Sequence, residues 1–148
     1  MNVEEIIKTD IELPLKTRTI IHFALVSNKI NEQFALALKP YEISQQQFNV
    51  LRILRGQKGK PANLSTINER MVTKMSNTTR LVDKLIMKDY VKRWVCESNR
   101  RKVEILITAN GRNILERIDK TMEGVEKEVL QNFTKKELEE LNVLLDKF

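Results

Sequence analysis

The sequence contains little of what exported, metal-binding or β-rich proteins depend on. Its 148 residues include one cysteine and one histidine, so neither an internal disulfide nor a histidine-based zinc site or catalytic triad is expected. Only 4 glycines and 3 prolines occur, which favours long helices over a many-turned β fold. The apolar stretches are far shorter than the roughly 18 residues that span a bilayer, and the acidic N-terminus lacks the basic start of a secretory signal. We therefore expect one cytoplasmic domain that does not enter a membrane.

Motifs of catalysis and of cofactor binding are also missing. The sequence has no glycine-rich phosphate loop, no H-E-x-x-H pair, and no cluster of nucleophile, base and metal ligands. We expect no enzymatic activity, no cofactor and no bound metal. His22 is interpreted as a core or interface residue, and Cys96 as a buried structural cysteine rather than an oxidant sensor.

Positive charge is concentrated in one part of the chain. Residues 73–102 contain nine basic and three acidic side chains. Their difference, +6, is the whole formal net charge of the chain, so the remaining residues are balanced in charge. A concentrated positive surface attracts the phosphates of nucleic acid. The alternative is a solvated basic face that has no partner.

The hydropathy pattern predicts a mainly α fold with a small β-hairpin. Helical periodicity covers residues 15–38, 45–56, 64–71 and about 74–88, and residues 1–14 are expected to be a loose arm. The period then changes to two over residues 91–95 and 103–107, with a polar loop at 97–102 between the two strands. Two further helices follow, and capping boxes are predicted at Ser44 and Thr134. The order is helix, helix, helix, helix, strand, strand, helix, helix.

The helix at about 74–88 has the composition of a helix that enters the major groove of DNA. A helical wheel places Met75, Thr78, Thr79, Val82, Leu85 and Ile86 on a buried face. The opposite face is polar and contains Thr73, Ser76, Asn77, Arg80 and Lys84, with Met87. Ser76, Asn77 and Arg80 suit base edges, whereas Thr73, Lys74 and Lys84 suit phosphate. An ordinary amphipathic surface helix would give a similar wheel.

The loop between the strands favours the DNA-binding interpretation. Asn99, Arg100, Arg101 and Lys102 place three cations at the tip of a hairpin, where a guanidinium can enter the minor groove. Loop tips are often charged only for solubility. A basic tip directly after a basic helix face, however, indicates a helix-turn-helix with a wing.

Several motifs together resemble the multiple antibiotic resistance regulator (MarR) family. Residues 76–85 resemble its recognition-helix signature, residues 47–51 its Q-F-x-V-L motif, and residues 91–93 its L-V-x-R strand. Residues 99–101, followed by 106–108 and Gly111, resemble its D-R-R…L-T-x-x-G wing and exit. The resemblance covers about residues 15–148. It implies a winged helix-turn-helix domain over 1–148, with a DNA-binding lobe at about 44–108 and dimerisation helices at about 15–40 and 109–148.

The resemblance also implies a mode of action. A homodimer would place two recognition helices in successive major grooves and a wing arginine in each flanking minor groove, on a pseudo-palindromic operator. The family usually has Asp where this chain has Asn99, which brings no charge to orient a wing arginine. Asp83 is expected either to pair with a wing arginine instead or to have only a surface role.

Many members of the family respond to small aromatic ligands, and a crevice for such an effector is predicted from five residues: Leu15, Phe23, Phe48, Leu51 and Trp94. The leading functional hypothesis is a sequence-specific, dimeric DNA-binding regulator, either a repressor or an activator, with repression favoured and a response to a ligand left open. The alternative is a helical protein–protein adaptor, or a nonspecific nucleic-acid binder, on a winged-helix scaffold.

Overall fold

The computed structural model of the chain describes residues 1–73, 77–97 and 99–148, with Arg101 described by its backbone alone. The helices are Val3–Ile7 (α1), Leu15–Leu38 (α2), Gln45–Gly56 (α3), Leu64–Arg70 (α4), Thr78–Met87 (α5), Ala109–Leu130 (α6) and Lys135–Leu145 (α7). The strands are Val91–Cys96 (β1) and Asn99–Ile107 (β2), and a short 3-10 helix covers Lys39–Tyr41. The predicted mainly α fold with a hairpin is confirmed. No helix in the described part of the chain is both long and apolar enough to cross a membrane.

One helix was not predicted from the sequence. Residues 3–7, expected to belong to a loose arm, form α1 because the Asn2 side chain accepts a hydrogen bond from the backbone amide of Glu4 at 3.0 Å. The Glu4 carboxylate in turn accepts a hydrogen bond from Nε of Arg18 on α2 at 2.8 Å. This bond is the main reason that the pKa of Glu4 lies below its ordinary value.

The chain divides into two compact units. The first unit contains residues 1–36 and 125–148, and the second contains residues 37–124. The helices α2 and α6 each contribute to both units. The second unit has a closely packed core whose fully buried members are Leu38, Val50, Leu51, Leu54, Ile67, Val82, Leu85, Val91, Ile105, Leu115 and Ile118.

The helix starts follow local signals in the sequence. Both predicted capping boxes are present: Ser44 caps α3 through the amide of Gln47 at 3.2 Å, and Thr134 caps α7 through the amide of Glu137 at 3.3 Å. The hydroxyl of Thr108 accepts a hydrogen bond from the Gly111 amide at 2.9 Å at the start of α6. These bonds satisfy backbone donors that have no partner within the helix.

The sheet consists of β1 and β2 in antiparallel pairing, with Val91 opposite Ile107 and Val95 opposite Val103. Ala62 adds a single bridge to β2, because its amide and carbonyl both bond to Ile105, at 2.8 and 2.7 Å. The first strand does not keep the expected alternation of buried and exposed residues. Val91 is buried, but Val95 is 54% exposed, because the end of the hairpin extends beyond the core.

Candidate nucleic-acid interface

The helix pair α4–α5 forms the frame of the predicted helix-turn-helix. The side chain of Asn63 caps α4 by accepting a hydrogen bond from the Thr66 amide at 2.8 Å. The buried hydroxyl of Thr78, the first residue of α5, donates a hydrogen bond to the side-chain oxygen of Asn68 on α4. This bond fixes the start of α5 against the preceding helix. Helical periodicity predicts Thr78 on the buried face but does not predict its partner.

The α5 helix begins later than the sequence suggested. It starts at Thr78, and Asn77 precedes it as the N-cap residue, although the Asn77 side chain makes no capping hydrogen bond. Lys74, Met75 and Ser76, which were assigned to the first turn of the helix, lie outside the described residues. The predicted roles of Ser76 at base edges and of Lys74 at phosphate, and the predicted burial of Met75, therefore stay predictions.

The buried face of α5 is rotated from the expected one. Thr78, Val82 and Leu85 are buried as predicted, but Leu81 is buried as well and Thr79 is exposed. The placement of Thr79 on the buried face was wrong, because α5 packs against α3, α4 and β1 together and these neighbours cover the side that Leu81 occupies.

The outer face of α5 presents polar and cationic side chains to solvent. Among the predicted contact residues, Thr73, Asn77, Arg80 and Lys84 are all exposed. Two of them, Arg80 and Lys84, are four residues apart, so they lie on the same side of the helix. The exposed face therefore offers short polar groups near its start and two long cations further along.

An ion pair connects this helix to the hairpin. Arg93 Nη1, on β1, donates a hydrogen bond to Asp83 Oδ1, on α5, at 2.6 Å. Asp83 thus pairs with an arginine of the hairpin, as one of the two expectations proposed, but the partner lies in the strand and not at the tip. The sequence alone places Arg93 in the L-V-x-R strand motif and does not indicate a functional role for it. Partly exposed pairs of this kind contribute about 0–1 kcal/mol to stability, so the orientation of α5 against β1 is the more important consequence.

The basic end of the hairpin differs from the predicted loop. Residues 99–102 were expected in the connection, but β2 already begins at Asn99, which pairs with Cys96. The register shifts between Val95 and Cys96, so residues 100–102 have no partner in β1. Such a bulge bends the strand and changes the direction of its side chains.

The bulge places cations at the exposed end of the hairpin. Asn99, Arg100 and Lys102 are exposed, whereas the side chain of Arg101 lies outside the described residues. On the flat part of the hairpin, the Lys92 ammonium lies 5.6 Å from the centre of the half-buried Trp94 ring. At this end of the hairpin, the exposed side chains of Arg100 and Lys102 are long enough to reach a phosphate or a minor groove.

The five predicted effector residues are distributed over both units. Phe48 and Leu51 are buried in the core of the second unit, and Trp94 is half-buried on β1. Leu15 is 79% exposed in the first unit, where Phe23 contacts Phe148 edge-on with ring centres 5.3 Å apart. The effector crevice therefore stays a prediction.

This chain is similar in sequence and in structure to known transcriptional regulators. Residues 43–103, which include α3, α5 and β1, match the sequence model of the MarR family. The HTH-type transcriptional regulator PecS of Dickeya dadantii is 27% identical over 139 residues, which are 92% of this chain and 81% of PecS. The structure of a MarR-like transcription regulator from Bacillus cereus superposes with a TM-score of 0.80 and 25% identity, over 90% of this chain and 96% of that one. Residues 43–103 form a MarR-family domain.

The MarR-family domain and the similarity to known regulators confirm the predicted fold and the class of protein. Members of the family are transcriptional regulators, so the chain is a regulator and not an enzyme. A mutant MarR of Escherichia coli, solved in complex with operator DNA, has the same fold, with a TM-score of 0.76 and 23% identity over 99% of this chain and 98% of that one.

Proposed function

We propose that this MarR-family regulator binds double-stranded DNA as a homodimer and represses transcription at a pseudo-palindromic operator. The observation that carries the proposal is the exposed face of α5, with Arg80 and Lys84, held by the Asp83–Arg93 ion pair to a hairpin whose bulged end is cationic. A role on the bacterial chromosome requires a cytoplasmic location.

The exposed face of α5 suits the major groove. An arginine side chain can donate two parallel hydrogen bonds to guanine O6 and N7, and an asparagine can pair with adenine in the same way. Arg80 on α5 and Asn77, the N-cap residue of α5, match these roles. Lys84 lies one turn beyond Arg80 and serves as a phosphate contact, which adds affinity without sequence information.

The bulged hairpin end suits the flanking minor groove. A narrow minor groove has an enhanced negative potential that attracts inserted basic side chains. Arg100 and Lys102 are exposed in the segment that has no partner in β1. Because Asn99 carries no charge, we propose that the bulge, and not an acidic neighbour, sets the direction of these cations.

Dimerisation is supported by apolar surface on the first unit. Its exposed large apolar side chains include Ile20, Val26 and Leu36 on α2, Leu130 on α6, Val143, Leu144 and Leu145 on α7, and Phe133 and Phe148 outside the helices. Extensive exposed apolar surface marks an interaction site, and a second copy of the chain would cover it symmetrically. Two recognition helices would then lie about one DNA turn, roughly 34–36 Å, apart. Such a dimer represses by occupying DNA that other proteins need.

We also propose that a small aromatic effector modulates DNA binding. A ligand changes DNA affinity only if it binds two conformations of the protein with different affinities. The aromatic candidates are Phe23, Phe48 and Trp94. Titration of the DNA complex with phenol and benzoate derivatives tests this: release of DNA at a saturable concentration supports the proposal, and unchanged binding contradicts it.

The test of DNA binding is the selection of bound duplexes from genomic fragments, followed by competition with random DNA at fixed salt. Sequence-specific regulators bind their sites about 10³–10⁷-fold more tightly than random DNA. Equal competition by random duplex would contradict sequence reading and support the nonspecific binder or the adaptor.

Two variants then separate base reading from phosphate contact. Arg80→Ala should cost about 1–3 kcal/mol and relax the base preference. Lys84→Ala should weaken binding to all sequences alike and reduce the slope of log affinity against log salt by about one. Lys29→Ala removes the same charge from exposed surface of the first unit and should change neither property. Unchanged operator affinity of Arg80→Ala would show that α5 is not the recognition helix.

A further inference from the structure

The second unit exposes few large apolar side chains, and they share one region. Among its described residues, Val72, Met87 and Val95 are the large apolar side chains that are most exposed, at 89%, 86% and 54%. All three lie in the segment that carries α4, α5 and the hairpin. Because single exposed apolar residues are common on protein surfaces, the position of each one matters more than its exposure.

Met87 lies on the same ridge of α5 as the two cations. Residues seven apart in an α-helix differ by about 20° around the axis, and residues four apart by about 40°. Arg80, Lys84 and Met87 therefore form one line along the exposed face, with Met87 about 10 Å from Arg80 along the axis. A polyanion bound along this line by Arg80 and Lys84 would therefore lie beside the thioether of Met87.

DNA offers one apolar group to such a side chain in the major groove. Phosphates and most base edges present only polar atoms or charge, whereas thymine presents its C5-methyl group. Methionine is unbranched and polarisable, so its end can adapt to the position of a methyl group. Base pairs are about 3.4 Å apart, so a ridge that follows the groove brings Met87 about three base pairs from the base that Arg80 contacts.

We propose that Met87 contacts the C5-methyl group of a thymine in each operator half-site, about three base pairs from the base read by Arg80. Met87 thereby determines specificity for an A·T pair at that position. This inference rests on the proposed function, because it requires α5 to lie in the major groove.

The experiment uses operator duplexes recovered by selection. Each thymine of one half-site is replaced in turn by deoxyuridine, which lacks only the C5-methyl group, and the affinities of the wild-type dimer and of Met87→Ala are measured. At one position the wild type should lose about four-fold in affinity, the equivalent of one buried methylene. Met87→Ala should bind the thymine and deoxyuridine duplexes equally at that position.

Two further measurements keep the test decisive. Val95→Ala removes another exposed apolar side chain and should retain the four-fold deoxyuridine effect. The circular dichroism of Met87→Ala should match that of the wild type, because the side chain is 86% exposed. If the loss of affinity on deoxyuridine replacement is the same in the wild type and in Met87→Ala at every position, the inference is overturned. The proposed function still stands in that case, provided that the operator is bound selectively. If Met87→Ala weakens every duplex alike, Met87 contacts something other than a thymine methyl, and the inference is overturned. If selection recovers no specific duplex, the proposed function fails first.

Discussion

The Gly111→Ala substitution tests how the hairpin is joined to α6. A Cβ atom added to Gly111 would lie 2.1 Å from the carbonyl oxygen of Tyr90 and 2.8 Å from Cγ1 of Ile107. That oxygen already accepts the Thr108 amide at 3.0 Å, and the Thr108 hydroxyl accepts the Gly111 amide at 2.9 Å. Since backbone cannot move aside as a flexible side chain does, α6 and the turn before β1 would have to separate by about 1 Å, because Cβ atoms essentially never come within 3.0 Å of another heavy atom.

The cost of this separation can be worked out from the contacts. Overpacking of a well-packed site costs about 1–3 kcal/mol, and loss of the Thr108–Tyr90 hydrogen bond adds about 1 kcal/mol. The better helix propensity of alanine returns at most about 1 kcal/mol. We expect a net destabilisation of about 1–3 kcal/mol, which lowers Tm by about 2–12 °C for a chain of this size.

Gly124 supplies a matched control in the same helix. A Cβ atom added there has no neighbour within 4 Å, so Gly124→Ala should gain about 1 kcal/mol from helix propensity and raise Tm by about 2–4 °C. Both variants are melted at one protomer concentration, because Tm of a dimer depends on concentration. The reasoning is refuted if Gly111→Ala melts with the wild type or shifts Tm in the same direction as Gly124→Ala.

Three other predictions concern individual side chains. Thr78→Val should cost about 1 kcal/mol by removing the hydrogen bond to α4, whereas Thr79→Val, on the exposed side, should leave the denaturation midpoint unchanged; equal effects would contradict the assigned buried face. Hydrogen bonds from the Thr134 amide and, to a lesser degree, from its hydroxyl lower the pKa of Glu137 below its ordinary value of 4.5. The ionised Glu137 therefore stabilises the fold above pH 4.5, and this contribution is lost as the pH falls through the lowered pKa. Thermal melts over that range should show a smaller pH dependence in Glu137→Gln than in the wild type, and an identical dependence would refute the assignment. Val143→Asp should shift the sedimentation of the protein towards a monomer, because Val143 is exposed on the apolar first unit, whereas Lys136→Ala on the same helix should remain as associated as the wild type.

The features that the sequence predicted are those whose cause is local. The capping boxes at Ser44 and Thr134 need only residues three apart, and the buried face of α5 follows largely from helical periodicity. The same periodicity misplaced Thr79, because the neighbours that pack on α5, and not the helix itself, decide which flank is covered. The start of β2 was missed since residues 99–102 are all polar, so no alternation of apolar and polar residues marks them as a strand.

The features that the sequence did not predict depend on partners distant in the chain. The short α1 helix is stabilised by Asn2 next to it but also by Arg18, which lies 14 residues after Glu4. Arg93 becomes the partner of Asp83 only when β1 packs beside α5. A motif resemblance could indicate that a hairpin arginine and an α5 acid are present, but only the fold shows which of several arginines is close enough to pair.

The contacts that hold the candidate interface are separate from the residues that would read DNA. Thr78 fixes the start of α5 to α4, Arg93 fixes its middle to β1, and Gly111 allows α6 to approach the turn that leads into β1. Arg80, Lys84 and Met87 make none of these contacts and point to solvent. Substitutions on this ridge should therefore change which duplex is bound while leaving the position of the helix intact. Because these few contacts hold the frame, relatives that share about a quarter of their residues can keep the same fold.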